Sequence, residues 1–178
     1  MSANRKSTHR ATIARSAAQK ITPFLWFGGQ AAAAAEHYVS IFPDSRITAV
    51  TRYDHASAAA SGRPEGSVLT VGFELAGQRF TALNGNPVFP FTEAVSFVVN
   101  CATQEEIDSY WAQLSAGGET GQCGWLKDKF GVSWQVVPSN LGEWLQGDDA
   151  AKSHRVMQAL LQMTKLDSRV LLRAFNQP

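Results

Sequence analysis

The sequence has few cysteines, since Cys101 and Cys123 are the only two in 178 residues. Their spacing does not match the closely spaced thiols of a zinc site or a redox motif. We therefore expect a reducing, cytoplasmic setting for the protein. A domain of this size has enough core to fold without a disulfide, although the sequence leaves a bond between the two cysteines open.

Two further features are absent, a long apolar run and a strong excess of charge. No stretch approaches the run of about 18 apolar residues that a membrane-spanning helix needs, so we expect a soluble protein with no membrane partner. The formal net charge is +1, which does not favour nucleic acid as a partner. With 44% hydrophobic residues, the chain is long enough for one domain with a sizeable core.

Acidic residues are missing from residues 1–20, which contain five basic ones. The stretch MSANRKSTHRATIARSAAQK is rich in Arg, Ser and Ala and has almost no large apolar side chain. Such a composition is typical of disordered arms and of organellar transit peptides. We predict a disordered basic tail over residues 1–20, with a transit peptide or a nucleic-acid-binding arm as the alternatives.

What the sequence does contain is an internal repeat. The run FLWF is typical of a buried strand and is followed by the Ala-rich helical stretch QAAAAAEHYVSIF, while SFVV is a second such strand before the amphipathic helix of QEEIDSYWAQLS. Phe27 and Tyr38 are 11 residues apart, as are Val99 and Tyr110. The two units are therefore offset by 72 residues throughout.

Further strands follow each predicted helix. Alternating apolar residues predict a strand in SVLTVGFEL that turns at Ala76-Gly77 and returns as QRFTALNG. In the second unit, CGWLKD and VSWQVV flank a turn near Phe130-Gly131. The fold class is therefore α+β, with a unit of one strand, one helix and about three strands that occurs twice. A single curved sheet with one helix leaves its second face uncovered, so it needs a partner.

A helical extension follows the second unit. The apolar period of AAKSHRVMQALLQM predicts a helix that starts at Asp148 or Asp149, and SRVLLRAF predicts a shorter one capped by Asp167. We place module one at about residues 21–90, module two at about 91–138 and the C-terminal helical extension at 139–178.

Four segments of the sequence carry a family resemblance: ITPFLWFGGQAAAAAEHYVSIFPDS, GQRFTALNGNPVFPFTEAVSFVV, QEEIDSYWAQLSAGG and CGWLKDKFGVSWQVVP. They resemble the PhnB-like branch of the vicinal-oxygen-chelate superfamily (glyoxalase, bleomycin resistance and dioxygenase), a branch often labelled 3-demethylubiquinone-9 3-methyltransferase domain. The resemblance covers residues 21–178 as a single domain. It implies tandem βαβββ modules that form a curved, cup-shaped sheet, commonly in a homodimer.

The resemblance does not fix the function, because the superfamily contains both enzymes and noncatalytic antibiotic-binding proteins. The methyltransferase label is doubtful for this chain. Its sequence has no glycine-rich strand-to-helix loop of the kind that usually holds a nucleotide-like cofactor.

Metal-dependent members of the superfamily bind a divalent ion in the cup through His and Glu side chains of the first and last strands of each module. The matching positions in this sequence are Thr22, Thr81 or Ala82, Ala94 and Gln135. None of these residue types is a typical transition-metal ligand. A one-residue shift in the register of this strand would place Glu93 at the position of Ala94, but it would also turn every neighbouring side chain to the other face. We therefore expect no metal and no other cofactor.

Strand alternation predicts which residues line the cup. Thr22, Phe24 and Trp26 share one face of the first strand. The full predicted lining is Thr22, Phe24, Trp26, Thr81, Asn84, Ser96 and Gln135. This mixture of aromatic and neutral polar groups suits a small, partly apolar organic ligand. Core packing is the alternative for Phe24 and Trp26, and an internal hydrogen-bond network is the alternative for Gln135.

Two residues of this set have specific alternatives. Asn84 begins the stretch LNGNPVFPF, which we predict to be either a rigid connector anchored by Phe89 and Phe91 or a rim from which Asn84 presents its amide to the cup. Cys123 is a candidate reactive thiol, provided that Lys127 or Lys129 favours its thiolate. An inert thiol is the alternative, because no histidine is predicted beside it.

The sequence therefore leaves several functions open. The first is a metal-independent enzyme in which Gln135, Thr81 and Asn84 position a small organic substrate. The second is a noncatalytic protein that sequesters a toxin or antibiotic. A metal-dependent enzyme of the glyoxalase or dioxygenase type and a DNA-associated role for the basic tail are weaker hypotheses.

Overall fold

The structure is a computed structural model that describes residues 19–177. The first module contains two helices and four strands in the order β1 (Phe24–Phe27), α1 (Ala31–Ile41), β2 (Arg46–Arg52), α2 (His55–Ser61), β3 (Val68–Leu75) and β4 (Gln78–Asn84). The second module repeats this order without a counterpart of α2, as β5 (Phe97–Cys101), α3 (Gln104–Ser115), β6 (Glu119–Thr120), β7 (Trp125–Lys127) and β8 (Ser133–Pro138).

The eight strands form two four-stranded sheets, one for each module. The strand orders are β1-β4-β3-β2 and β5-β8-β7-β6, so the first and last strands of each module lie side by side. These two neighbours run parallel, and the other pairs are antiparallel. The α+β class with tandem modules is therefore confirmed.

Each sheet buries one face against helices. Leu25 and Phe27 of β1 are buried in the core with Val71 and Phe73 of β3, while Phe24 points to the opposite, open face and is more than half exposed. Alternation of this kind is what a half-buried strand requires. The same rule puts Trp134 of β8 in the core and Gln135 on the open face.

The helix-covered faces of the two modules share one core. Phe42 after α1 stacks on Tyr110 of α3, with ring centroids 5.1 Å apart, and on Trp134 of β8 at 5.6 Å. Tyr38 of α1 meets Trp134 edge-on at 5.4 Å. Aromatic pairs in such geometry contribute beyond their buried area. The modules therefore form a single packed unit.

A buried carboxylate joins the modules. Asp128 lies in the turn between β7 and β8 and is 3% exposed. Its Oδ2 accepts hydrogen bonds from the Tyr38 hydroxyl at 2.7 Å and from Trp134 Nε1 at 2.9 Å, and its Oδ1 accepts from the backbone of Phe130 and Val132. Burial, reinforced by the Asp128 charge, raises the pKa of Tyr38, so its hydroxyl stays a donor at neutral pH.

The first module contains a short helix that the sequence does not predict. Its first residue is His55. The helix begins there because Asp54 and Ser57 form a reciprocal cap, in which the Asp54 side chain accepts from Ser57 N at 2.8 Å and Ser57 Oγ accepts from Asp54 N at 3.0 Å.

The C-terminal extension forms three helices, α4 (Leu141–Gln146), α5 (Ala150–Leu160) and α6 (Ser168–Asn176). Asp149 and Asp167 cap α5 and α6 through two backbone N–H groups each, as their positions in the sequence predict. The short helix α4 is an addition to that prediction. The extension has its own apolar core, which includes Val156, Leu160 and Leu166 and takes in Val137 of β8.

The predicted basic tail lies outside the described residues except for its last two. Gln19 is tied to the sheet, because its side chain accepts a hydrogen bond from Arg79 N at 2.9 Å and donates one to Arg79 O at 3.1 Å. Within residues 19–177, none of the helices has the length and apolarity needed to cross a membrane.

Replacing Asp128 with Ala should destabilise the fold strongly, by about 3–5 kcal/mol, because it leaves several buried donors without an acceptor. Tyr38→Phe removes one bond to a charged group and should cost about 1.5–3 kcal/mol. Urea unfolding followed by circular dichroism measures both. The matched control is Asp149→Ala, which removes an exposed helix cap and should cost about 1 kcal/mol. Equal losses for Asp128→Ala and Asp149→Ala would contradict a special role for the buried carboxylate.

Candidate functional site

A cavity of about 260 Å³ lies where the two modules and their connector meet. The first strand contributes Phe24 and Leu25, and the second module contributes Phe97, Val132 and Ser133. Connector residues Pro90, Phe91, Thr92 and Val95 complete the lining. A concave, mostly apolar surface with few polar groups is typical of a small-molecule site, and this cavity is slightly smaller than most such sites.

Ser133 provides the distinctive polar group of this cavity. It is the first residue of β8, lies on the same side of that strand as Gln135 and is 2% exposed. Its Oγ has no hydrogen-bond partner among residues 19–177. A buried hydroxyl without a partner costs about 1–3 kcal/mol, so such groups are rare in folded proteins.

Gln135 and Ser96 lie on the same open face as Ser133. Gln135 Nε2 donates to Ser96 Oγ at 2.9 Å, and both side chains are half-buried. The amide nitrogen of Gln135 therefore has a partner within the protein, as in the internal network that the sequence left as an alternative. Gln135 and Ser96, two residues of the predicted lining, are brought together by the parallel pairing of β5 with β8, which sets Val98 opposite Gln135.

The first sheet presents the other predicted lining residues. Thr81 of β4 is half-buried and lies directly opposite Phe24 of β1 in the parallel register. Trp26 shares the face of Phe24, and its indole nitrogen donates to the backbone oxygen of Asn86 at 2.7 Å. Thr22 is exposed and precedes β1.

Asn84 is buried away from the open face. Its Oδ1 accepts from Ala31 N at 2.8 Å, and its Nδ2 donates to Val68 O at 3.1 Å. The side chain thus caps the start of α1, where Gln30 supplies no side-chain cap. Both polar ends of the amide are used within the protein, so the structure does not place Asn84 at a ligand.

Cys123 faces the C-terminal extension. Its backbone is in the left-handed region with φ of 59°, its N–H donates to Met163 O at 2.7 Å, and its Sγ is 3.6 Å from Leu160 O. Lys127, one of the two lysines proposed to activate it, is 2.6 Å from the Glu93 carboxylate instead. Both cysteines are free thiols, and burial raises the pKa of Cys101 to about 11.

The residues at the superfamily's metal positions do not fit a divalent transition metal. Thr22 and Thr81 are neutral hydroxyls, and Gln135 uses its amide on Ser96. Glu93, the nearest acid in sequence, pairs with Lys127, and this hydrogen bond lowers the pKa of its carboxyl. Within the part of the chain that the structure describes, no three His, Cys, Asp or Glu side chains cluster in a way that could hold a metal.

Two comparisons with known proteins point to the same family. A model of the family described as 3-demethylubiquinone-9 3-methyltransferase matches residues 19–137. The structure of a PhnB protein from Bacillus cereus, which bears the same family name, is 39% identical with a TM-score of 0.61, and the match covers 67% of this chain and 99% of that one. No protein of curated function matches the chain.

Two more distant structures are also similar to this chain. A protein from Pseudomonas aeruginosa is 20% identical with a TM-score of 0.53, over 66% of this chain and 96% of that one. The fosfomycin resistance protein FosX from Listeria monocytogenes is 15% identical with a TM-score of 0.49, over 71% and 95% of the two chains. The structure from Pseudomonas aeruginosa supports the fold alone. The FosX structure is too dissimilar to support an inference.

Replacing Ser133 with Ala should leave the protein as stable as before or more stable, by about 1 kcal/mol, because the change removes a buried hydroxyl that has no partner. The control is Ser96→Ala, which breaks the bond to Gln135 and should lower the free energy of unfolding by about 1 kcal/mol. Urea titration of both variants measures the difference. A loss for Ser133→Ala as large as that for Ser96→Ala would show that the hydroxyl is bonded in the folded protein.

Proposed function

Because the chain belongs to the 3-demethylubiquinone-9 3-methyltransferase family, the PhnB-like branch of the vicinal-oxygen-chelate superfamily, we propose that it binds a small organic molecule between its modules without a divalent metal. The ligand would be largely apolar and would have one hydrogen-bonding group. The observation that carries this proposal is a mostly apolar cavity between the modules, lined in part by Ser133, whose buried hydroxyl has no partner among the described residues.

The ligand class follows from the cavity lining. Phe24, Phe91 and Phe97 supply aromatic walls, and Ser133 supplies one group that both donates and accepts. A ligand with a single hydroxyl or carbonyl would satisfy Ser133 and bury its apolar part against the rings. A ligand with several polar groups would lose hydrogen bonds to water that these walls do not replace.

Binding without chemistry is the form of this function that the lining favours. A serine becomes a nucleophile only beside a general base, and the described residues that line the cavity include no His, Asp, Glu, Lys or Cys. Gln135 and Thr81 are neutral as well, so they can orient a ligand but not exchange a proton with it near neutral pH. We therefore favour sequestration of a toxin, an antibiotic or a metabolite over catalysis.

A homodimer is the second part of the proposal. Four apolar side chains, Ile21 and Phe24 at the start of β1 and Val95 and Val98 at the start of β5, are between 50% and 85% exposed. Phe24 and Val98 occupy equivalent positions on the open faces of β1 and β5. Contiguous exposed apolar surface on a folded domain is typical of a protein interface. Phe24 and Val95 also line the cavity, so a second copy would close it.

Benzyl alcohol and toluene are suitable probes of the cavity, since they differ by one hydroxyl on the same ring system. Ser133→Ala should weaken benzyl alcohol binding about fivefold and leave toluene binding unchanged, because only the alcohol bonds to Ser133. Calorimetric titration measures both affinities, and Ser139→Ala, an exposed serine outside the cavity, is the control. An unchanged ratio of the two affinities in Ser133→Ala would refute the assignment of this hydroxyl to a ligand.

Placing a charge on the proposed interface should separate the copies. Val98→Lys buries an ammonium group on association, so we expect a dimeric protein to become monomeric in light scattering coupled to size exclusion. Val50→Lys is the matched control, because Val50 is similarly exposed but lies on the outer strand β2. A dimer that survives Val98→Lys, or a monomeric parent protein, would rule out this interface.

A further inference from the structure

A second cavity lies where the hairpin of β3 and β4 meets the first strand and helix of the second module. It has a volume of about 480 Å³ and extends from Leu75 and Gln78, beside the hairpin turn, to β5 and α3. Its walls contain five aromatic side chains, those of Phe42, Phe80, Phe97, Tyr110 and Trp134. Of the described lining residues, only Phe97 also lines the cavity of Ser133, so the two cavities have largely separate walls.

This cavity lies along β5, which is at the end of the second sheet with β8 as its neighbour. The corresponding cavity at β1 is lined by Pro87, Phe89 and Pro90 of the connector. Among the described residues that line the cavity at β5, none belongs to the connector. Glu106, which is part of the lining, is exposed. The cavity at β5 is therefore open to solvent on the side of Glu106.

The cavity at β5 includes the helix-covered side of the second sheet. Glu106 and Tyr110 belong to α3, which packs on that side through Ile107 and Leu114. The side chains of Ser133 and Val98 lie on the opposite, open face. A ligand bound beside α3 is thus on the other face of the sheet from the ligand and the dimer interface proposed above.

Glu106 has the only charged side chain among the described residues of this lining. Its Oε2 accepts a hydrogen bond from Ala102 N at 2.7 Å, which holds the carboxylate at the start of α3. No Lys, Arg or His among residues 19–177 is within ion-pair distance of it. Burial, and after it the Glu106 charge, raises the pKa of Tyr110, so the hydroxyl of this residue stays protonated at neutral pH. The cavity therefore has a negative rim that no described cation balances.

From this combination we infer that the cavity at β5 binds an organic amine with an aromatic body. An ammonium group donates charge-assisted hydrogen bonds to a carboxylate, and Oε1 of Glu106 is not used by Ala102. An aromatic body buries apolar surface against the five rings, and the volume of about 480 Å³ is within the usual range of ligand cavities. Glu106 would repel an anionic ligand, and a small polar amine would leave the rings uncovered.

Three probes that share a phenyl ring on a short chain and differ in charge test the inference: 2-phenylethylamine, 2-phenylethanol and phenylacetate. By calorimetric titration at neutral pH, the amine should bind the full-length protein about three- to fivefold more tightly than the alcohol, and phenylacetate should bind more weakly than both. Equal affinities for the amine and the alcohol would overturn the inference. Absence of amine binding, or tighter binding of phenylacetate, would overturn it as well.

Glu106→Gln assigns the ammonium group to its carboxylate. Gln keeps an oxygen that accepts from Ala102 N but has no charge, so affinity for 2-phenylethylamine should fall about three- to fivefold while affinity for 2-phenylethanol stays unchanged. The matched control is Glu105→Gln, which removes an exposed acid from the same helical turn but outside the cavity lining. An equal fall in both variants would show a general effect of protein charge and contradict the site.

Ser133→Ala separates this inference from the function proposed for the other cavity. It should leave 2-phenylethylamine binding unchanged, and Glu106→Gln should leave benzyl alcohol binding to the Ser133 cavity unchanged. A fall in 2-phenylethylamine affinity in Ser133→Ala as large as that in Glu106→Gln would place the amine in the Ser133 cavity and overturn the inference.

Discussion

The fold of this protein depends on one carboxylate that is buried between its modules. Burying the charge of Asp128 is costly, and the cost is offset by four donors that come from the turn itself, from β8 and from α1 of the other module. The turn that Asp128 holds sets Phe130 against Phe27 and leads directly into Val132 and Ser133. One wall of the cavity, formed by Val132 and Ser133, thus follows from the position of this residue.

The sequence repeat was enough to predict the architecture, because strand and helix periods are local properties. Its register was less accurate. The offset of 72 residues pairs Phe24 with Ser96. In the structure, Phe24 lies opposite Thr81, and Val98 lies opposite Gln135, the residue that corresponds to Thr81. The counterpart of Phe24 is therefore Val98. The difference is two residues, so the side chains of β1 and β5 kept their predicted faces. A slip of one would have inverted the whole lining.

The parts of the site that depend on distant contacts could not be predicted in this way. Alternation indicated that Phe24 lies on the open side, but the cavity between Phe24 and Ser133 exists because Pro90 and Phe91 of the connector fold over it. Asn84 shows the same limit, because its amide is used by Ala31, 53 residues earlier in the chain. The bond from Tyr38 to Asp128 joins residues 90 positions apart and has no signal in local sequence.

The C-terminal extension makes the two modules of the duplicated fold unequal. The family match ends at residue 137, and the helices that follow bury Val137, whereas Leu83, its counterpart in the first module, stays half-buried. Two equivalent half-sites, which a duplicated fold offers by symmetry, are thereby made unequal. One end of the second sheet is occupied by the chain itself, so the internal symmetry of the repeat is not a symmetry of access.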